Sequence, residues 1–191
     1  FLFCPQKAIL EQRRPIGLIE EGSFRSLRFV QGRLNVGEVM SPAVIREVSD
    51  RSSSQGVNII DSPPGTSCPV VESVRAADFV LLVTEPTPFG LHDLTLAIDM
   101  VRALERPFAV ALNRCDAGDE GVRLHCEREG IEILLSIPDD RRIAESYARG
   151  EIIIERLPEY RSLFDGCYGR ISALGNRGRE GDHQSQEGCA R

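Results

Sequence analysis

From residue 57 onward the chain repeats one unit: a short apolar run rich in β-branched residues, then a helix-length stretch of mixed polarity. The runs are Val57-Asn58-Ile59-Ile60, Phe79-Val80-Leu81-Leu82-Val83, Phe108-Ala109-Val110-Ala111-Leu112 and Ile131-Glu132-Ile133-Leu134-Leu135. Runs of this length and apolarity are what strands covered on both faces require. The stretches between them, about 70–77, 91–104 and 118–129, are punctuated by Pro or Gly at their joins. Strand followed by helix followed by strand demands right-handed crossovers, which place helices on both sides of a parallel sheet. An α/β fold is therefore predicted, with Leu94, Ile98, Val101 and Leu104 forming the apolar stripe that one helix lays on the sheet. A further helix is expected after Pro138-Asp139-Asp140, to about Tyr147, and a last one over about 157–174.

The ends of the chain read differently. Residues 1–40 mix Gly, charged residues and short apolar pairs without a long periodic run, as a separate small element or insertion would. Ser41-Pro42 then opens a helix to about Val48, with Ser41 as N-cap and Pro42 at the first helical position. Beyond Leu174, residues 175–191 are almost all Gly, Glu, Arg, Gln and Ser. Ordering them would cost backbone entropy that no burial offsets, so a disordered tail is expected. The chain thus divides into 1–40, a core of 41–174, and a tail of 175–191.

Composition narrows the function classes. With 191 residues and a hydrophobic fraction of 41%, the chain has material for one ordinary core. A net charge of −6 argues against nucleic acid as a partner, Arg25, Arg28 and Arg33 being the nearest thing to a basic patch. No run approaches the roughly 18 apolar residues of a membrane span. The six cysteines are scattered without disulfide spacing and no signal peptide precedes them, which points to a reducing cytoplasm. The chain opens Phe1-Leu2-Phe3 without an initiator Met and reads as part of something longer.

Ligands of open parallel sheets sit at the carboxyl ends of the strands, and three motifs fall there. In Ile59-Ile60-Asp61-Ser62-Pro63-Pro64-Gly65-Thr66 a strand ends in a carboxylate and turns through two prolines and a glycine. Such an Asp can hold a magnesium-bound water, because Mg²⁺ keeps most of its octahedral waters. Such a Gly lets a backbone N–H swing toward a γ-phosphate, as switch loops do. A capping Asp before a rigid turn would look the same. The second motif, Thr84-Glu85-Pro86-Thr87-Pro88 followed by Gly90-Leu91-His92-Asp93, contains ordinary turn and helix-opening signals, with His92 as a surface or capping residue. In the third, Asn113-Arg114-Cys115-Asp116, the Asn amide can meet a purine edge with both donor and acceptor, and the Asn-x-x-Asp spacing is that of guanine readers. A loop Asn in a turn accounts for it equally well.

Taken together, Asp61 to Val70 (ending Gly65-Thr66-Ser67-Cys68-Pro69-Val70), Thr84 to Leu94, Asn113 to Asp116 and Ile137-Pro138-Asp139-Asp140 resemble the MinD/ParA/Mrp class of P-loop ATPases. The likeness is to the branch with an inserted ferredoxin domain, and it covers about residues 3–157. It implies an incomplete P-loop NTPase sheet flanked by helices, preceded by the remnant of a ferredoxin-like insert. Phe1-Leu2-Phe3-Cys4-Pro5 fits the end of a 4Fe-4S motif, in which thiolates bind soft iron and Pro turns the chain away. The resemblance implies that Asp61 contacts Mg²⁺ through water and that Gly65 senses the γ-phosphate. It further implies that Asn113 reads adenine, that Pro138 and Asp139 line the base and ribose, and that Cys4 ligates the cluster. Cys68 invites a redox or metal-related role, or is a small hydrophobe. ATP, Mg²⁺ and a 4Fe-4S cluster are the implied cofactors of the complete protein, with a homodimer and an iron–sulfur or redox partner protein as implied associations.

The departures matter equally. These 191 residues contain no Gly-rich phosphate loop with its lysines, and seven of the eight cluster cysteines expected of that branch are missing. Alone, this polypeptide should bind nucleotide poorly. Two alternatives stay open beside an ATPase portion: an iron–sulfur carrier or assembly scaffold gated by nucleotide, and a degenerate, non-enzymatic interaction module. A GTPase reading of Asn113 to Asp116 ranks below them.

Overall fold

The computed structural model describes residues 14–53 and 55–187, with 175–187 described by backbone only. It separates into two compact units, residues 1–61 and 62–191.

In the first unit, β1 (Gly17–Phe24) and β2 (Leu27–Leu34) form an antiparallel hairpin, paired from Gly17 opposite Leu34 to Phe24 opposite Leu27. Its turn, Arg25-Ser26, puts Arg25 at φ 53°, in the left-handed region that hairpin turns need and that Gly or Asn usually supplies. Helix α1 (Ser41–Ser49) packs on one face of the hairpin, where Gly32 leaves room for the Val44 and Val48 side chains. Ser41 is the first helical residue and Met40 occupies the N-cap, one position before the expected cap. The boundary expected at residue 40 also shifts, because α1 belongs with the hairpin rather than with the α/β core.

Val57-Asn58-Ile59-Ile60 is not a strand, contrary to its sequence pattern. Ile59 is 93% exposed and the run has no ladder partner in its unit. The Asn58 side chain instead donates to the Ser53 carbonyl at 2.8 Å and accepts from the Ser53 N–H at 3.0 Å, closing a local turn. A β-branched apolar run holds an extended ladder only where a neighbouring backbone takes up its N–H and C=O groups.

The second unit carries the predicted alternation: α2 (Cys68–Arg75), β3 (Val80–Thr84), α3 (Pro88–Ala103), β4 (Phe108–Leu112), α4 (Gly121–Arg128) and β5 (Ile133–Ser136). The three strands are parallel in the order β3-β4-β5, with a register irregularity between Val110 and Ala111. Then follow α5 (Arg141–Ala148), α6 (Ile153–Arg156), a 3₁₀ turn (Pro158–Tyr160) and α7 (Arg161–Glu187). The backbone of α7 stays helical to Glu187, through residues whose composition reads as a tail. Residues 188–191 lie outside the described residues.

Packing follows the alternation of β4. Val110 and Leu112 meet Leu94 and Ile98 of α3 and Val122 and Cys126 of α4. Ala111 points the other way, toward Leu135 of β5 and Cys167 of α7. Val101 of α3 closes a third cluster with Val70 and Val74 of α2. Of the stripe predicted from Leu94, Ile98, Val101 and Leu104, the first three are buried in the core and Leu104 packs half-buried against it, and Cys126 and Cys167 serve as small buried hydrophobes whose thiols burial pushes up in pKa.

Candidate nucleotide-facing loops

The loops leaving β3, β4 and β5 are laced together at the carboxyl ends of their strands. Asn113 directly follows β4, and its N–H donates to the Thr84 carbonyl at the end of β3 (2.8 Å). On the other side the Ile137 N–H donates to the Leu112 carbonyl (2.8 Å) and the Cys115 N–H to the Ile137 carbonyl (2.9 Å). The sheet ladder thus continues past the last strand residues, which brings Asn113 and Pro138 onto one half-buried surface.

Asp139 is the hub of this surface. Its backbone N–H donates to Asp116 Oδ1 at 2.7 Å, and its carboxylate takes two guanidinium hydrogen bonds from Arg114, Nε at 3.0 Å and Nη2 at 3.2 Å. Arg114 also lies 3.7 Å from a Glu85 oxygen at the end of β3. These carboxylates, Asp139 first, raise the pKa of the guanidinium further above its ordinary value. Arg114 sits at φ 50°, a left-handed backbone uncommon for a residue with a side chain.

The next residue, Asp140, caps α5 by accepting from the Arg142 N–H at 2.8 Å. The same carboxylate accepts from the Arg142 guanidinium at 2.6 Å and from the Tyr160 hydroxyl at 2.8 Å. Arg142, then Tyr160, then the Arg142 N–H hold its pKa well below the usual carboxylate range. An Asp between a strand end and a helix is a legible N-cap signal, but Tyr160 stands twenty residues away and no local pattern announces it.

The remaining predicted residues are each described in their own setting. Asp61 is the exposed last residue of the first unit. Gly65 is exposed at φ 91°, a conformation that requires its missing Cβ. Cys68, exposed, opens α2, and His92, also exposed, is the fifth residue of α3. Cys4 lies outside the described residues. Among the described residues no group of three or more His, Cys, Asp or Glu could hold a metal ion, so the residues described here supply no cluster ligand set. No helix among them is long and apolar enough to cross a membrane.

No family model matches the chain. It is 34% identical over 146 residues to an uncharacterised protein of Methanocaldococcus jannaschii, covering 75% of this chain and 51% of that protein. It is 28% identical over 135 residues to an iron–sulfur cluster carrier protein of Pyrococcus abyssi, covering 62% of this chain and 45% of that one. The chain spans about half the length of the curated relatives it matches. Among solved structures, the MinD cell division protein of Aquifex aeolicus superposes with a TM-score of 0.54 at 21% identity, over 69% of this chain and 59% of that chain. The fold is thus of the MinD type.

Proposed function

We propose that the chain is the C-terminal portion of a MinD-superfamily, Mg²⁺-dependent ATPase coupled to an iron–sulfur module. The observation that carries this reading is the joining of Asn113, Pro138 and Asp139 on one surface at the carboxyl ends of the strands, where an α/β sheet receives its ligand. Asn113 would present donor and acceptor to the adenine edge, while Pro138 packs against the ring and Asp139 lies beside the ribose. Asp61 would hold a magnesium-bound water and Gly65 would turn an N–H to the γ-phosphate, with phosphates and water supplying most of the Mg²⁺ shell. Hydrolysis on such a site proceeds by positioning and charge stabilisation. The complete protein would work as a homodimer in the cytoplasm.

A second reading is favoured by the relative named as an iron–sulfur cluster carrier: the nucleotide would gate delivery of a 4Fe-4S cluster, which is then cargo, to a partner protein. Cys4 would belong to its ligand set. Iron and acid-labile sulfide assays before and after ATP turnover separate the two, since cluster that stays bound through turnover excludes delivery.

The test of the shared nucleotide site is equilibrium binding of fluorescent ATP and GTP analogues to the longest native polypeptide carrying this sequence. Asn113→Ala is expected to weaken ATP about ten-fold, the loss of a paired hydrogen-bond edge. A preference for GTP, or an unchanged ATP affinity in the variant, overturns the base assignment.

A further inference from the structure

Asp139 is held through both its backbone and its carboxylate, and the side chain that fixes the carboxylate is unassigned. Arg114 comes from the β4 loop and reaches both neighbouring strand ends, with a two-pronged bond to Asp139 after β5 and a 3.7 Å approach to Glu85 after β3. A planar guanidinium gripping a carboxylate by two bonds sets the plane of that carboxylate, which a lysine ammonium does not. The grip does not exhaust the acceptor: a carboxylate has about four lone-pair sites, so outer ones remain for a ligand hydroxyl. Asp116 holds the Asp139 backbone in the same loop, and the oxygen it uses is thereby committed to an amide rather than to a base. The Arg114 backbone keeps a left-handed conformation that a glycine would adopt at less cost, yet the position carries the long side chain.

We propose that Arg114 is a positioning residue for nucleotide binding, acting through Asp139: it fixes the orientation of the carboxylate beside the ribose and ties that loop to the one bearing Asn113. The inference rests on the nucleotide-site reading above and deepens it. It differs from a general stabilising role because its effect must disappear once the Asp139 carboxylate is gone.

The experiment is a double-mutant cycle by fluorescent ATP-analogue titration, on the longest native polypeptide carrying this sequence, with Arg114→Gln, Asp139→Asn and the pair. Arg114→Gln is expected to weaken binding about ten-fold alone and less than about two-fold in the Asp139→Asn background. Arg114→Gly, which relieves the left-handed backbone while deleting the guanidinium, should lose as much as Arg114→Gln. Arg114→Lys should recover only part, about three-fold, because a point charge keeps attraction without the fork. Unchanged affinity in Arg114→Gln overturns the proposal, and so does a full ten-fold loss on the Asp139→Asn background. If the unaltered protein binds no nucleotide, the site reading fails and this inference with it. If it binds and Asn113→Ala weakens it while Arg114→Gln does not, the inference alone fails.

Discussion

Asp140 accepts from a backbone N–H, a guanidinium and a phenol at once, and so joins the start of α5 to the turn before α7. Its depressed pKa makes this junction pH-sensitive in one direction. The contribution is complete above the unfolded carboxylate value of about 3.9 and is lost as pH falls from there toward the lower native value. Asp140→Asn should therefore lower Tm by about 3–5 °C at pH 7, because Asn caps a helix as well as Asp but removes the charged acceptor of the Arg142 and Tyr160 bonds. The gap between the two proteins should narrow as the medium is taken below pH 4. Thermal unfolding followed by circular dichroism from pH 7 to pH 3 measures it, and a gap that widens in acid contradicts the assignment. The neighbouring acid, Asp139, is fixed by residues of a different loop, which is why the two adjacent aspartates play unlike parts.

At the scale of elements, the connection from β4 to α4 is shaped by backbone approach. Gly118 lies against Pro86, where an added Cβ would stand 1.7 Å from the Pro86 carbonyl oxygen, the same oxygen that accepts from the Asp119 N–H at 2.8 Å. Gly118→Ala must push the two loops apart and is expected to cost about 2 kcal/mol, a typical penalty of overpacking. Urea unfolding would register a lower midpoint at unchanged slope. An unshifted midpoint would show that the loops are not packed as described. Sequence pattern reached these elements unevenly, and the reasons are physical. The strand 108–112 was legible because burial on both faces imposes an unmistakable apolar run, the strand 80–84 because it carries the same run although Val83 is exposed, and the helix between them because of its 3.6-residue stripe. The run at 57–60 carries the same signature, yet a strand also needs a partner backbone, which composition does not encode. The hairpin at 17–34 was illegible for the opposite reason: its turn is Arg25-Ser26 rather than Asn-Gly, and one of its faces exposes Leu18, Phe24, Leu27 and Phe29. Of the candidate site, Asn113 was visible as a strand-end residue, while Pro138 and Asp139 were reached only through the family resemblance. Arg114, Asp116 and Tyr160 act across loops far apart in sequence, and only folding brings them together.

Taken whole, the molecule concentrates its burial in one of its two units, and its stability should be distributed accordingly. Among the described residues every buried cluster of side chains lies in residues 62–187, among α2, α3, α4, α7 and the three strands. Among the described residues of the first unit, Val44 alone is buried among the apolar side chains. Two strands and one short helix with so little apolar burial sit near the lower bound of what holds together in water. Ion pairs do not change that estimate. Glu21 with Arg28 and Arg51, and Glu47 with Arg51, are surface pairs whose attraction solvent and salt screen. The hairpin should open by local unfolding while the parallel sheet opens only with the second unit as a whole. Hydrogen exchange on the 191-residue chain reads this directly. Amides of β4, paired on both sides and buried on both faces, should exchange on the order of 100-fold more slowly than those of β1 and β2. Equal protection of hairpin and β4 would mean that the first unit draws its stability from contacts other than its own, and would overturn the division of stability argued from burial.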